Sequence, residues 1–151
     1  THSIRCENNT MSRQHYVEQT IAELGSELGI PELACDETSR TSFSSDGIHI
    51  TLSYAAEPVE LLWIFVDLGA VDSNNEQLLT GLLQLGFATW TSNCMTVGIN
   101  ENGDRAIGFS SISAVHLDCN KLRDLLELML ENAKAIRDWI AAGNYELAAG
   151  A

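Results

Sequence analysis

Between Thr41 and Asp104 the chain has no lysine and no arginine. The same stretch holds Asp46, Glu57, Glu60, Asp67, Asp72, Glu76, Glu101 and Asp104, and over the whole chain 8 basic residues stand against 21 acidic ones, a net charge of −13. Nucleic acid and anionic membrane surfaces are bound through basic side chains, so neither is an expected partner. An acidic field steers a basic or amphipathic polypeptide instead. Long apolar runs are also missing: the longest, Leu61 to Val66, is six residues, where a spanning helix needs about 20. The four cysteines, Cys6, Cys35, Cys94 and Cys119, include no CxxC pair, which argues against a disulfide or zinc framework and for reduced thiols in a cytosol. Thr1 to Asn9 lack the apolar centre of a secretory signal. Residues 1–11, ending at the internal Met11, are expected to be a flexible extension or an expression remnant.

What is present suits one folded domain over residues 12–143 with a loose tail at 144–151: 151 residues, 45 % apolar and 19 % charged, enough to bury roughly 70 % of the unfolded surface. Ser12 to Gly29 predicts a helix with Val17, Ile21, Leu24 and Leu28 on one stripe. Thr41–Ser45 and Ile48–Ala55 flank Asp46-Gly47, a hairpin turn. Leu61–Leu68 is apolar at both parities, the pattern of a strand with greasy side chains on both faces. Ser73-Asn74-Asn75-Glu76 has capping-box spacing and opens a helix expected to stop at Gly86. Met95, Val97 and Ile99 alternate, Asn102-Gly103 turns, and Ala106–Ile112 returns as the partner strand. Asp118 caps a last helix whose core face carries Leu122, Leu125, Leu126, Met129, Ala133, Ile136 and Ile140, ending at Gly143. The order helix, three strands, helix, two strands, helix predicts an α+β fold with helices packed on one twisted antiparallel sheet.

Catalytic signatures are absent: there is no GxSxG, no phosphate-binding loop and no HExxH. His2 with Cys6 and His116 with Cys119 do not reach the four donors of a structural zinc site. No serine or thiol has an oriented base suggested by spacing, and pairs such as Asp36-Glu37 or Glu127 with Glu131 fit solvated charge. No catalytic residue, metal or cofactor is expected. The polar residues His49, Thr51 and Ser53 leave a small enzyme or ligand-binding domain as the alternative, and a regulator that binds a folded protein as another.

Apolar area beyond the needs of one core is the unusual feature. On the middle helix Leu78, Leu79, Leu82, Leu83 and Leu85 spread over roughly 160°, more than one core-facing stripe requires. A twofold contact is the commonest way to cover such a patch.

Three stretches carry a family resemblance: Val17-Glu18-Gln19 through Ile21-Ala22-Glu23-Leu24-Gly25-Ser26-Glu27-Leu28-Gly29-Ile30, Asp46-Gly47-Ile48-His49-Ile50-Thr51-Leu52, and Leu82-Leu83-Gln84-Leu85-Gly86-Phe87 followed by Thr91. In their order and spacing, from about Gln14 to Gly143, they resemble the class I type III secretion chaperones of the Tir chaperone (CesT-like) family. Ser92-Asn93-Cys94 stands where that family often has a Gly-rich turn. The resemblance implies a non-enzymatic homodimer of the bacterial cytoplasm. It would hold the N-terminal chaperone-binding segment of a secreted effector partly unfolded, soluble and competent for secretion. Expected at the dimer contact are Leu78, Leu79, Leu82, Leu83, Phe87 and Trp90. Candidates for the effector groove are Phe43, Ile50, Leu52, Trp63 and Phe65, with the outward strand parity left open, because a one-residue slip would exchange the faces.

Overall fold

The computed structural model describes residues 2–30, 32–93 and 95–145, with side-chain surroundings given outside 2–12 and 89–93. The elements run α1 (His2–Glu27), β1 (Arg40–Ser45), β2 (Ile48–Ala55), β3 (Leu61–Ala70), α2 (Glu76–Asn93), β4 (Thr96–Ile99), β5 (Arg105–Ser113) and α3 (Cys119–Ala142). The expected α+β order is borne out. The five strands form one sheet in the order β1-β2-β3-β5-β4, which leaves β1 and the four-residue β4 at its edges.

Local chemistry explains most element ends. Gly29 takes φ +72°, the Ile30 N–H donates to the Gly25 carbonyl at 2.8 Å and the Gly29 N–H to Ser26 at 3.3 Å. Together these form a Schellman stop that only a residue at ease with positive φ makes without strain. The β1–β2 turn places both Asp46 and Gly47 at positive φ, the twist that matches a two-residue hairpin. Its tip is pinned by α3: Lys134 Nζ lies 2.7 Å from Asp46 Oδ2, and Arg137 donates to the Gly47 carbonyl at 3.0 Å. Asp118 caps α3 as expected, its carboxylate accepting from the Lys121 N–H at 2.8 Å.

Three expectations shift. α1 begins at His2 rather than Ser12, since no proline or glycine precedes Ser12 to interrupt it. The cap of α2 is Asn75, whose side-chain oxygen accepts from the Leu78 N–H at 3.1 Å, while Asp72 turns the chain before it. Gly86 does not end α2 but sits inside it. A Cβ there would stand 3.2 Å from Val97 Cβ, so this glycine serves close approach of α2 to β4 rather than termination.

The chain divides into two compact units. Among the described residues the first comprises those up to Phe43, Thr51–Ile64 and Ser111–Leu126, and the second Ser44–Ile50, Phe65–Ser110 and those from Glu127 on. In the first unit Val17, Ile21, Leu24, Leu52, Leu62, Ile64 and Leu122 are fully buried. Polar ties hold its surface: the Tyr16 hydroxyl donates to the Leu117 carbonyl, Arg13 pairs with Glu60, and Arg123 pairs with Glu27 at 2.8 Å. The second unit buries Ile48, Ile50, Val66, Leu68, Leu78, Met95 and Met129. Beyond α3, Tyr145 lies edge-on to Trp139 with ring centroids 5.3 Å apart.

Candidate functional site

Strand parity decides which side chains of β2 and β3 are available. Along β3 the even positions Leu62, Ile64, Val66 and Leu68 are fully buried, whereas Leu61, Trp63, Phe65 and Asp67 are only half-buried. β2 follows the same alternation, with Ile48, Ile50, Leu52 and Tyr54 inward. Of the five residues expected in a groove, Phe43, Ile50 and Leu52 lie on the inward parity and are buried in the protomer, as the two-residue period of a strand requires. Trp63 and Phe65 stand on the other face.

Within the second unit this half-covered face has a definite build. The rings of Phe65 and Phe109 stand 6.4 Å apart at 34°. β4 pairs antiparallel with β5, Thr96 opposite Phe109 and Gly98 opposite Ile107, and a Cβ on Gly98 would come within 3.3 Å of the Phe109 ring. Gly98 thus lets the ring lie down over the edge strand. Two residues beyond Phe65, Asp67 is held by Arg105 through Nε at 3.1 Å and through the Nη2–Oδ2 contact at 2.5 Å. The result is an aromatic ledge closed at one end by a bidentate ion pair.

Burial alone would raise the Asp67 carboxyl, but the Arg105 hydrogen bond, the Gly69 N–H and the charges of Arg105 and Arg137 together hold it below the usual carboxylate range. A depressed folded-state value contributes stability that is present above the unfolded pKa of about 3.9 and is lost as pH falls through the folded value. Asp67→Asn is accordingly expected to lower stability at neutral pH and to flatten the acid limb of a stability profile. Urea melts between about pH 5 and pH 2 would show it; an acid limb as steep as the parent's would refute it.

The middle-helix candidates separate likewise. Leu78 and Leu82 are 2 % exposed, buried by their own chain. Leu79 is half-buried, and Leu83 and Phe87 are 73 % and 75 % exposed. These last three recur every four residues along one side of α2. Trp90's side chain lies outside the described residues.

Catalytic chemistry finds little support among the described residues. No group of three or more His, Cys, Asp or Glu could hold a metal ion. The Cys35 thiol is pushed up by burial and by the charges of Glu18 and Asp36, and that of Cys119 by burial and Glu27, the reverse of what a nucleophilic thiolate needs. An open depression of about 610 Å³ is lined by Ala22, Gly25, Ser26, Gly29, Ile30, Glu32 and Leu33. Its hydroxyl, Ser26, already donates to the Ala22 carbonyl, and one exposed carboxylate beside it is not a convergent polar set.

The model of the Tir chaperone protein (CesT) family matches residues 19–137. The chain belongs to that family. Among curated proteins none matches it in sequence. Solved structures are similar in fold: the ExsC-ExsE complex, at 22 % identity and TM-score 0.73, matches over 83 % of this CesT-family chain and 93 % of its own. The HopA1-SchA chaperone-effector complex matches at 19 % identity and TM-score 0.71 over 85 % and 97 %. The Yersinia pestis type III secretion chaperone SycH, solved with a stable fragment of YscM2, matches at 18 % and 0.61 over 79 % and 98 %. At these identities the likeness is one of fold, and it is the α+β fold described above. Sequence reasoning missed Phe109 and the Asp67–Arg105 pair. An Arg opening a strand and an Asp closing an apolar run were visible, but nothing in the sequence paired β3 with β5.

Proposed function

We propose that this CesT-family chain is a type III secretion chaperone that works in the bacterial cytoplasm. It binds the N-terminal chaperone-binding segment of a secreted effector, keeps it soluble and secretion-competent, and catalyses no reaction. The observation that carries this reading is the family match over residues 19–137. The similar solved structures include chaperones caught with effectors or effector fragments, and no described helix is long and apolar enough to cross a membrane.

The physical parts suit holding. Trp63 and Phe65 offer half-buried aromatic area to an extended guest, and an edge strand such as β1 has main-chain groups to pair with it. Leu79, Leu83 and Phe87 form the stripe for a second copy, with residues 12–143 as the working domain. Four of the described cations are spent internally: Arg13 on Glu60, Arg105 on Asp67, Arg123 on Glu27 and Lys134 on Asp46. The surplus carboxylates face outward and favour a guest with basic flanks.

Capture from the native cell with the chain as bait, then limited proteolysis of the captured protein, tests the reading. A protected segment near the N-terminus of a secreted protein is the expected result. Recovery of an intact folded protein without a protected segment would move the assignment to a regulator.

A further inference from the structure

The inner side of α2 is built around a glycine that helix propensity does not favour. Gly81 stands in the helix interior, where glycine costs about 1 kcal/mol against alanine. A Cβ at this position would lie 2.5 Å from two ring carbons of Trp139 on α3 and 3.2 Å from the Tyr145 carbonyl oxygen. The indole therefore occupies the space a side chain would need. Gly143, at φ +72°, ends α3 and turns the chain back. Tyr145 then meets Trp139 edge-on, centroids 5.3 Å apart at 62°, a favoured aromatic geometry. The Trp139 N–H is buried and meets no acceptor among the described residues, so packing rather than a hydrogen bond fixes the ring.

At about 100° per residue, Gly81 lies roughly 200° from Leu83 and roughly 240° from Phe87 around the helix. One side of α2 is seated on Trp139 and Tyr145, and the opposite side carries the exposed stripe.

We infer that Trp139 and Tyr145 are positioning residues for self-association: they seat α2 through Gly81, so the C-terminal turn sets how Leu83 and Phe87 are presented to a second copy. This rests on the proposed dimer. Isologous contacts use the same patch twice, so a tilt of α2 misplaces both halves of the interface together.

The test uses the full chain with Tyr145→Ala, Tyr145→Phe and Gly81→Ala. Sedimentation equilibrium reads the dimer dissociation constant, and amide hydrogen exchange of α2 is read at a dilution where the chain is monomeric. Tyr145→Ala and Gly81→Ala are each expected to weaken self-association at least tenfold and to speed exchange of α2 amides by a similar factor. Tyr145→Phe, which keeps the ring edge, is expected to match the parent in both. Parent-like association and α2 exchange in Tyr145→Ala would overturn the inference. If Tyr145→Ala fails to fold, the decision falls to Gly81→Ala against Tyr145→Phe, and equal behaviour of those two would overturn it. A parent chain that stays monomeric at high concentration would sink the dimer reading and with it the effect on association. The exchange arm would still show separately whether Tyr145 seats α2.

Discussion

For the proposed dimer, aspartate at both Leu83 and Phe87 is expected to abolish self-association while leaving the protomer folded. The two side chains are 73 % and 75 % exposed, so the isolated protomer loses little packing when they change, and surface substitutions of this kind usually cost within about 0.5 kcal/mol. In a twofold interface each is buried twice, and full burial of a Leu or Phe side chain is worth about 1.5–3 kcal/mol. Four such side chains bring about 6–12 kcal/mol of gross contact, against which association sets its own entropic cost. Replacing them with carboxylates removes that contact and adds unpaired charge to the patch. A rise in dissociation constant of at least about a thousandfold, near 4 kcal/mol, is expected. Sedimentation velocity should show one monomeric species, with a melting temperature within a few degrees of the parent protomer. Leu82→Asp is the contrasting control: that side chain is 2 % exposed, so a charge there should unfold the second unit rather than split a dimer. An intact dimer in the double variant would remove α2 from the interface.

How much of this was legible in the sequence depended on whether a residue's meaning is local. Asp46-Gly47 and Gly29 declared their turns because a positive φ is a property of the residue itself. Asp118 declared its cap for the same reason. Gly86 misled because a glycine has two uses, ending a helix or admitting a neighbour, and the neighbour, Val97, belongs to the next strand. The shift of the cap from Ser73 to Asn75 arose because Asp72 forms its own turn first, with the Asn74 N–H donating to its side chain at 2.9 Å. Strand parity was illegible for a different reason. The alternation of Ile48, Ile50, Leu52 and Tyr54 was plain, but which parity faces inward depends on where the helices lie, and that is fixed only by packing. β3 was the harder case, since it is apolar at every position from Leu61 to Val66. The fold distinguishes its two faces only by fully covering Leu62, Ile64 and Val66 and half-covering Trp63 and Phe65.

That difference of faces sets up a second large effect. Leu52→Ala deletes a side chain with no exposure, and such core truncations typically cost about 2–5 kcal/mol. Trp63→Ala and Phe65→Ala act on the half-covered face, where the folded chain already leaves part of each ring to solvent. For Phe65 the loss includes the contact with Phe109, worth about 0.5–1.5 kcal/mol beyond area for an aromatic pair. If the guest lies on this face, the double variant Trp63→Ala/Phe65→Ala should weaken binding of a captured effector segment by about 100-fold, near 2.7 kcal/mol. Leu52→Ala should leave affinity unchanged wherever the chain remains folded, and lower only its denaturation midpoint. Calorimetric titration of each variant with the protease-protected segment, alongside urea melts, separates the two quantities. Were Leu52→Ala to lose affinity while folded and the double variant to keep it, the guest would have to reach the covered side of the sheet. The protomer would then need to open on binding, because neither Ile50 nor Leu52 has any surface to offer while it is closed.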